Sequence, residues 1–373
     1  ALTDWVIRWV AANPGGSRAA LVEAAMERRF SASPHEAFFT GGGVHRFHNF
    51  RPEDNARELS AREALIYSVN LPFVRMMREI ILHLIFRDGG ARELLEQQDG
   101  ARRLAAMRRF ADMDGRTYIN RFYRGYRGLD APAALARLAG RGHPRSAPLA
   151  ALFRAVVPAD GLGAFSAFLA AHARTRPAEA EVARLYDQYK PGAMSLADLG
   201  YVSGVHPLEL WVAAELLRAP GSKLADLQGR GGDQRQEASA WLMRPGRRKA
   251  QNNRIRQVLE LDAFAELHRR WRRHGYPFSR LTPSYGTALG SSGDRPSALA
   301  ELAGIISAGG VRLPLVRMTR LRFGSGTPYD TVMDVRPRAG ERVMPPEVAE
   351  AVRGALMRVV SDGTARLASG ALG

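Results

Sequence analysis

The sequence has no cysteine and almost no lysine, and each shortage limits its chemistry. Without cysteine the 373 residues form no disulfide, perform no thiol catalysis and offer no cysteine ligand for zinc. Only Lys190, Lys223 and Lys249 are lysines, so 51 of the 54 basic residues are arginines. The net charge of +17 raises affinity for polyanions and acidic surfaces. Abundant alanine and glycine also fit an arginine-rich coding bias, so charge alone assigns no function.

A long apolar run is also missing. The longest, EIILHLIF at residues 79–86, is interrupted by His83 and is far shorter than the roughly 20 residues of a membrane helix. No signal peptide is visible. The sequence begins with Ala1 rather than Met, and we expect it to be part of a longer protein.

Hydrophobic periodicity and turn residues predict a mostly helical chain in three parts. Residues 1–87 and 276–373 mix helices with irregular or strand-like stretches, whereas residues 88–275 show helical periodicity interrupted by glycine and proline. Residues 315–323 and 329–335 are rich in β-forming residues and predict a hairpin around Gly324–Gly326. A last helix is predicted over residues 345–360, with its apolar face formed by Val348, Val352, Leu356 and Val359.

Two consecutive helices are predicted near residue 68. Ser60 and Glu63 form a capping-box pattern that starts one helix, which runs to about Tyr67. Pro72 suits the first position of a second helix. The three residues 68–70 should therefore lie in a tight link between helix ends.

Four stretches resemble class A penicillin-binding proteins, which join a glycosyltransferase to a transpeptidase domain. AREALIYSVNLPFVRMM (61–77) resembles the family's Ser-x-Asn segment, and FFTGGGVHRFHNFRPEDN (38–55) resembles the approach to it in the bifunctional members. TPSYGTALGSSGDRPSALAELAGIISAGGVRLPLV (282–316) resembles the later loop and helix that end in a Gly-Gly…Pro exit. MRVVSDGTA (357–365) is similar to the helix end that precedes the Lys-Thr-Gly strand. The order and spacing of the stretches 61–77, 282–316 and 357–365 also agree with the family.

This resemblance implies an α/β penicillin-binding transpeptidase fold like that of β-lactamases, with a five-stranded antiparallel sheet and a helical subdomain. Residues 88–275 would be a large helical insertion. Two family motifs are missing. No Ser-x-x-Lys exists, because the residues three before the lysines are Asp187, Pro220 and Gly246, and there is no Lys-Thr-Gly. We expect both motifs to lie outside this chain, which leaves the sheet incomplete, the strands few and the chain inactive by itself.

For the chemistry, the resemblance implies serine acyl transfer that cross-links peptidoglycan stem peptides. A serine nucleophile needs a neighbouring base, such as a lysine whose pKa is lowered by burial and nearby positive charge. By resemblance, the catalytic residues in this chain are Ser68, which would relay a proton to the departing amine, and Asn70, which would orient the lysine and bind the substrate carbonyl. The structural alternative is that both residues simply cap the two helices.

The resemblance further implies peptidoglycan stem peptides, β-lactams and other cell-wall enzymes as partners, at the periplasmic face of the inner membrane. The anchor would lie in a part of the parent outside this chain. No cofactor or metal is expected. His45 and His48 could form a metal pair, but only Glu53 and Asp54 lie near them in sequence, which favours packing or cleft contacts.

A nucleic-acid-binding alternative comes from SLADLGYVSGVHPLELWVAAELL (195–217), which has the pattern of a helix-turn-helix. Its second helix is apolar and carries Glu209 and Glu215, which would face phosphates, and it has no base-reading arginine before Arg218. We therefore predict an internal pair of core helices and no specific nucleic-acid partner. A third alternative is a catalytically inactive cell-wall scaffold.

Overall fold

A computed structural model describes residues 2–369, apart from positions 41, 42, 97–99, 245, 294, 317 and 335–338. Helix accounts for 63% of the chain and strand for 6%, which confirms the mostly helical class. Two compact units are present. The first unit comprises Ala1–Glu93 with Leu259–Gly373, and the second unit comprises Leu94–Val258. The sequence prediction put its boundaries after residues 87 and 275.

The N-terminal part of the first unit mixes helices with short strands: α1 (Leu2–Ala12), α2 (Arg18–Met26), β1 (Arg29–Ser31), β2 (Phe38–Thr40), β3 (Gly43–His45), β4 (Glu58–Ser60), α3 (Ala61–Ile66), α4 (Asn70–Phe86) and α5 (Gly90–Glu96). Helices then follow one another: α6 (Ala101–Tyr126), α7 (Ala131–Ala139), α8 (Ser146–Val156), α9 (Leu162–His172), α10 (Glu179–Gln188), α11 (Leu196–Ser203), α12 (Pro207–Arg218), α13 (Leu224–Arg230), α14 (Gly232–Ala238) and α15 (Arg248–Arg273). The C-terminal part contains α16 (Pro296–Ser307), β5 (Val311–Arg312), β6 (Arg320–Phe323), β7 (Thr331–Asp334), β8 (Glu341–Arg342), α17 (Pro346–Ser361) and α18 (Arg366–Ser369).

The strands form four separate antiparallel pairs, β1–β4, β2–β3, β5–β8 and β6–β7. The predicted hairpin is confirmed, because β6 and β7 pair with Arg320 opposite Asp334 and Phe323 opposite Thr331. An ion pair of 2.7 Å between Arg320 Nε and Asp334 Oδ1 joins its open end. Within the described residues no sheet exceeds two strands, so these residues do not form the family's five-stranded sheet.

Helix α4 forms the centre of one core of the first unit. Leu71, Val74, Met77 and Ile81 recur at helical spacing, and each is 3% exposed or less. They pack against the part of α15 that lies in the same unit, including Phe264. This packing fixes the helix end that follows Ser68.

Helix α17 packs against α2 and α3 through small residues rather than large ones. Ala349, Ala351 and Ala355 are buried, whereas Leu356 is 39% exposed. The predicted helix is confirmed, but Val348, Val352 and Val359 of its predicted apolar face are only partly buried. Alanines let the helix backbones approach closely, and the sequence pattern weighted side-chain size instead.

The second unit is built around one continuous helical core. Helices α6, α8 and α12 contribute to it, and α11 joins α12 through Gly204 in the left-handed conformation. Leu208, Leu210 and Val212 of α12 are each 1% exposed or less, so α11 and α12 are an internal helix pair as predicted. Glu209 is also buried, and its Oε1 accepts a hydrogen bond from Tyr126 at 2.7 Å.

None of the helices in the described residues is both long enough and apolar enough to cross a membrane.

Candidate functional site

Ser68 lies at a helix C-terminus whose hydrogen bonds form a Schellman motif. The Ser68 amide donates to the Leu65 carbonyl at 3.2 Å, and the Val69 amide donates to the Ala64 carbonyl at 2.9 Å. Val69 and Ala64 are buried in the same apolar cluster. Both backbone and packing therefore fix the turn that follows α3.

The backbone of Ser68 is in the left-handed region, with φ of 54°. It is the one non-glycine residue with positive φ in the described part of the chain. Glycine usually occupies this position of the motif, and a side chain there costs roughly 1–2 kcal/mol. Strained residues of this kind cluster at functional sites, where the surrounding structure holds them. The turn explains the left-handed conformation, but it does not explain why serine rather than glycine occupies the position.

The Ser68 hydroxyl contacts a residue close to the C-terminal end of the chain. Its Oγ lies 2.8 Å from Oγ1 of Thr364, and both side chains are exposed. The Thr364 amide donates to the Ile66 carbonyl at 3.3 Å. Gly363 makes this approach possible, since a Cβ atom there would lie 2.2 Å from the Ile66 oxygen. The two hydroxyls therefore face solvent as a hydrogen-bonded pair.

Asn70 is the first residue of α4, and its amide holds another distant segment. Its Nδ2 donates to the His48 carbonyl at 3.0 Å. The neighbouring Asn49 accepts from the Leu71 amide at 3.1 Å through Oδ1, so it caps the start of α4. Asn49 Nδ2 also donates to the Ala32 carbonyl at 2.8 Å. We call residues 67–70 with these partners the Ser68 corner.

The helix start differs from the prediction at this point. Pro72 was predicted as the first helical residue, but α4 begins at Asn70 and Val69 occupies its N-cap position. The cap comes from Asn49, which lies in another stretch of sequence. The prediction was wrong because a tertiary hydrogen bond, rather than a local residue, satisfies the first amides of the helix.

The four stretches that carry the family resemblance have contacts in one part of the first unit. Residues 48–49 bond to residues 70–71, and Thr364 bonds to Ser68. From the stretch 282–316, the ring of Tyr285 packs against the Phe38 ring, with ring centres 6.1 Å apart, in the core that also contains Leu71. Segments far apart in sequence thus meet around Ser68 and Asn70.

Arginines and carboxylates surround the corner, but lysine does not. The Arg57 guanidinium lies 5.3 Å from the centre of the Tyr67 ring and pairs with Asp54 at 2.7 Å. A hydrogen bond from Arg358 lowers the pKa of the exposed Asp362. The chain's three lysines all belong to residues 94–258, so the unit that contains Ser68 supplies no lysine base.

The two histidines do not form a metal centre. In the described part of the chain no group of three or more histidine, aspartate and glutamate side chains is arranged to hold a metal ion. His45 stacks on Phe47, with ring centres 6.4 Å apart. His48 contributes its backbone carbonyl to Asn70. The ring of His45 thus makes a packing contact, one of the two roles that the sequence favoured over metal binding.

The first unit also contains an apolar cavity of about 400 Å³. Trp271, Tyr276, Leu302 and Met344 are among its lining residues, whereas Ser68 and Asn70 are not. The cavity is therefore separate from the Ser68 corner.

Two residues of the corner were not singled out from sequence, Asn49 and Thr364. Thr364 lies in the stretch 357–365 that resembles the family, so this motif could have identified it as a candidate site residue. Asn49 had no such signal, because its role depends on contacts with Ala32 and Leu71.

Comparisons with protein-family models, with curated proteins and with solved structures found no match for this chain.

Proposed function

We propose that this chain is the Ser-x-Asn portion of a penicillin-binding transpeptidase that cross-links peptidoglycan stem peptides. One observation carries the proposal: Ser68 has a strained left-handed backbone, and its hydroxyl lies 2.8 Å from that of Thr364. The two residues belong to two of the stretches that resemble the family. The turn itself requires the left-handed conformation, which glycine adopts without strain, so a serine at this position and its bond to Thr364 are what support a role for the hydroxyl.

The geometry suits proton transfer rather than nucleophilic attack by Ser68. A serine hydroxyl donates one hydrogen bond and accepts two, so Ser68 can bond to Thr364 and to a second group at once. No neighbouring base activates it, because its unit has no lysine and its bonded partner is another hydroxyl. In the proposal, the nucleophilic serine and its lysine come from sequence outside this chain.

Asn70 would act as an orienting and binding residue. Its Nδ2 is engaged by the His48 carbonyl, and its position in the first turn of α4 fixes the direction of the side chain. The amide oxygen can accept a hydrogen bond from a protonated lysine or from a substrate amide. Helix ends on both sides of the corner would keep Ser68 and Asn70 in register during the reaction.

The test is acylation of the gene product that carries this chain by a fluorescent penicillin. We expect covalent labelling of the wild-type protein and a labelling rate about 10²- to 10⁴-fold lower for Ser68→Ala, the usual contribution of a proton-transferring group. Ser325→Ala, a matched change at an exposed turn between β6 and β7, should label at the wild-type rate.

Two results would contradict the proposal. A wild-type gene product that takes up no label in native membranes is not a penicillin-binding transpeptidase, and the scaffold alternative then replaces it. Labelling of Ser68→Ala at the wild-type rate, with unchanged circular dichroism, would remove Ser68 from the proton path.

A further inference from the structure

A polar cavity of about 240 Å³ lies inside the second unit, and the proposed transpeptidase chemistry makes no use of it. Four elements supply its polar groups: Asp114 from α6, His206 at the start of α12, Ser239 after α14 and Arg254 from α15. Trp241 is among the residues that complete the wall. Convergence of polar groups from several elements on one cavity is typical of a ligand site.

Asp114 contributes a negative charge that the protein leaves without a direct partner. Its carboxyl group is half-buried, and burial raises its pKa, an effect that the nearby Arg254 charge partly offsets. Among the described residues no hydrogen bond or ion pair satisfies this carboxylate. Buried carboxylates are normally paired, because desolvation of an unpaired charge is costly.

Arg254 contributes a permanent positive charge to the same cavity. Its guanidinium lies 5.0 Å from the centre of the Phe110 ring. In the part of the chain that the structure describes, it forms no ion pair with a carboxylate. Asp114 and Arg254 therefore influence each other across the cavity without closing into an ion pair. A ligand that carries both a positive and a negative group could form an ion pair with each of these two side chains.

His206 adds a neutral hydrogen-bond donor with a defined tautomer. Its Nδ1 accepts from the Leu208 amide at 3.2 Å, so the proton of the neutral ring is on Nε2. The ring stacks on Tyr118 with centres 4.2 Å apart. Burial, with a smaller effect from Arg121, lowers its pKa to about 4, so the ring is uncharged at neutral pH. Its N–H group can serve a polar ligand without adding charge.

We propose that this cavity binds a small amino-acid zwitterion, with its ammonium group on Asp114 and its carboxylate on Arg254. The cavity volume corresponds to about eight water molecules at roughly 30 Å³ each, which suits a small amino acid. Ser239 and His206 also line the cavity and favour a short polar side chain on the ligand. L-Serine has the required size, charges and hydroxyl group.

Titration calorimetry of the full chain at pH 7 tests the proposal with three related probes. L-Serine carries both charges, ethanolamine lacks the carboxylate and 3-hydroxypropionate lacks the ammonium group. We expect saturable binding of L-serine and at least tenfold weaker binding of the other two. Absence of saturable L-serine binding, or ethanolamine or 3-hydroxypropionate binding as tightly as L-serine, would overturn the proposal.

Matched variants locate the binding. Asp114→Asn and Arg254→Gln should each lower the affinity for L-serine at least tenfold. Asp233→Asn and Arg256→Gln are changes of the same kind at exposed positions and should leave this affinity unchanged. Thermal melting confirms that each variant is folded. L-Serine binding that is unchanged by both cavity variants would overturn the assignment. The outcome is independent of penicillin acylation, because no residue of the Ser68 corner lines this cavity.

Discussion

The two units hold their polar groups in different ways. In the first unit, Ser68 and Asn70 are exposed or partly exposed and are fixed by hydrogen bonds to Thr364 and His48, which are far away in sequence. In the second unit, Asp114 and His206 lie on helices that share one continuous apolar core. The first arrangement depends on a few side-chain hydrogen bonds, whereas the second depends on packing. Substitutions should therefore act locally in the first unit and cooperatively in the second.

The largest expected effect is in the core of the second unit. Phe153 is 2% exposed, and its ring lies 5.4 Å from Phe165 and 5.2 Å from Phe168. Phe153→Ala should lower the free energy of unfolding by about 3–5 kcal/mol, because it removes buried surface and leaves a cavity. Urea denaturation measures the loss, and hydrogen exchange should show faster exchange throughout α8, α9 and α12.

Phe50→Ala is the control in the first unit, because Phe50 is 90% exposed and should change stability by about 0.5 kcal/mol or less. A loss below about 1 kcal/mol for Phe153→Ala, or faster exchange confined to α8, would argue against one cooperative core.

A smaller effect on stability should distinguish alanine substitutions of two glycines near the C-terminal end of the first unit. Gly363→Ala would place Cβ 2.2 Å from the Ile66 oxygen and 2.9 Å from the Val359 backbone, and should cost about 1–3 kcal/mol. Gly354→Ala within α17 meets no atom within 4 Å and should stabilise the helix by about 0.5–1 kcal/mol. Thermal unfolding of both variants measures the difference. Equal melting temperatures would mean that the approach of Gly363 to α3 is not required.

A pH effect should come from the second unit. The pKa of His206 is about 4 in the folded protein, against 6.5 for an exposed histidine, so the unfolded chain binds a proton that the folded protein excludes. The contribution of His206 to the free energy of unfolding is fully present above pH 6.5. It is lost as the pH falls towards 4, with a slope of at most about 1.4 kcal/mol per pH unit. Urea denaturation from pH 7 to pH 4 measures it.

His206→Asn is the matched variant for this pH effect, since asparagine also caps helix α12 but does not titrate. Its stability should fall less steeply over the same pH range. Identical slopes for the two proteins would assign the pH dependence to other groups.

The smallest expected effect is a gain in stability at Ser68. Ser68→Gly should stabilise the protein by about 1 kcal/mol, because glycine adopts the left-handed conformation without a Cβ clash. Ser68→Ala keeps that clash and should not be stabilising. Paired thermal melts of the two variants isolate the backbone strain from the hydroxyl. A melting temperature no higher for Ser68→Gly than for Ser68→Ala would show that the turn is not strained.

Sequence patterns among neighbouring residues correctly predicted the structural elements that those residues form. The Ser60–Glu63 capping box forms in both directions, with the Ser60 amide bonded to Glu63 at 2.8 Å and the Glu63 amide bonded to Ser60 at 3.1 Å. The β6–β7 hairpin and the buried pair α11–α12 are also confirmed. Each depends on residues that are neighbours in sequence, so periodicity and turn chemistry were enough.

Features that depend on distant residues were not predicted. The left-handed Ser68, the start of α4 at Asn70 and the capping role of Asn49 follow from contacts among α3, α4 and the segment before β4. The alanine face of α17 was missed for the same reason, since a close approach between helices has no signature in one helix alone. The site's chemistry stays a prediction until acylation is measured.

The uneven placement of lysine also determines how the protein responds to reagents. Lys190, Lys223 and Lys249 are all exposed and all belong to the second unit. Side-chain amine reagents, such as succinimidyl dyes and lysine cross-linkers, will therefore modify the second unit and leave the side chains of the first untouched. Because the sequence has no cysteine, a single introduced thiol near Ser68 would give the first unit its own independent label.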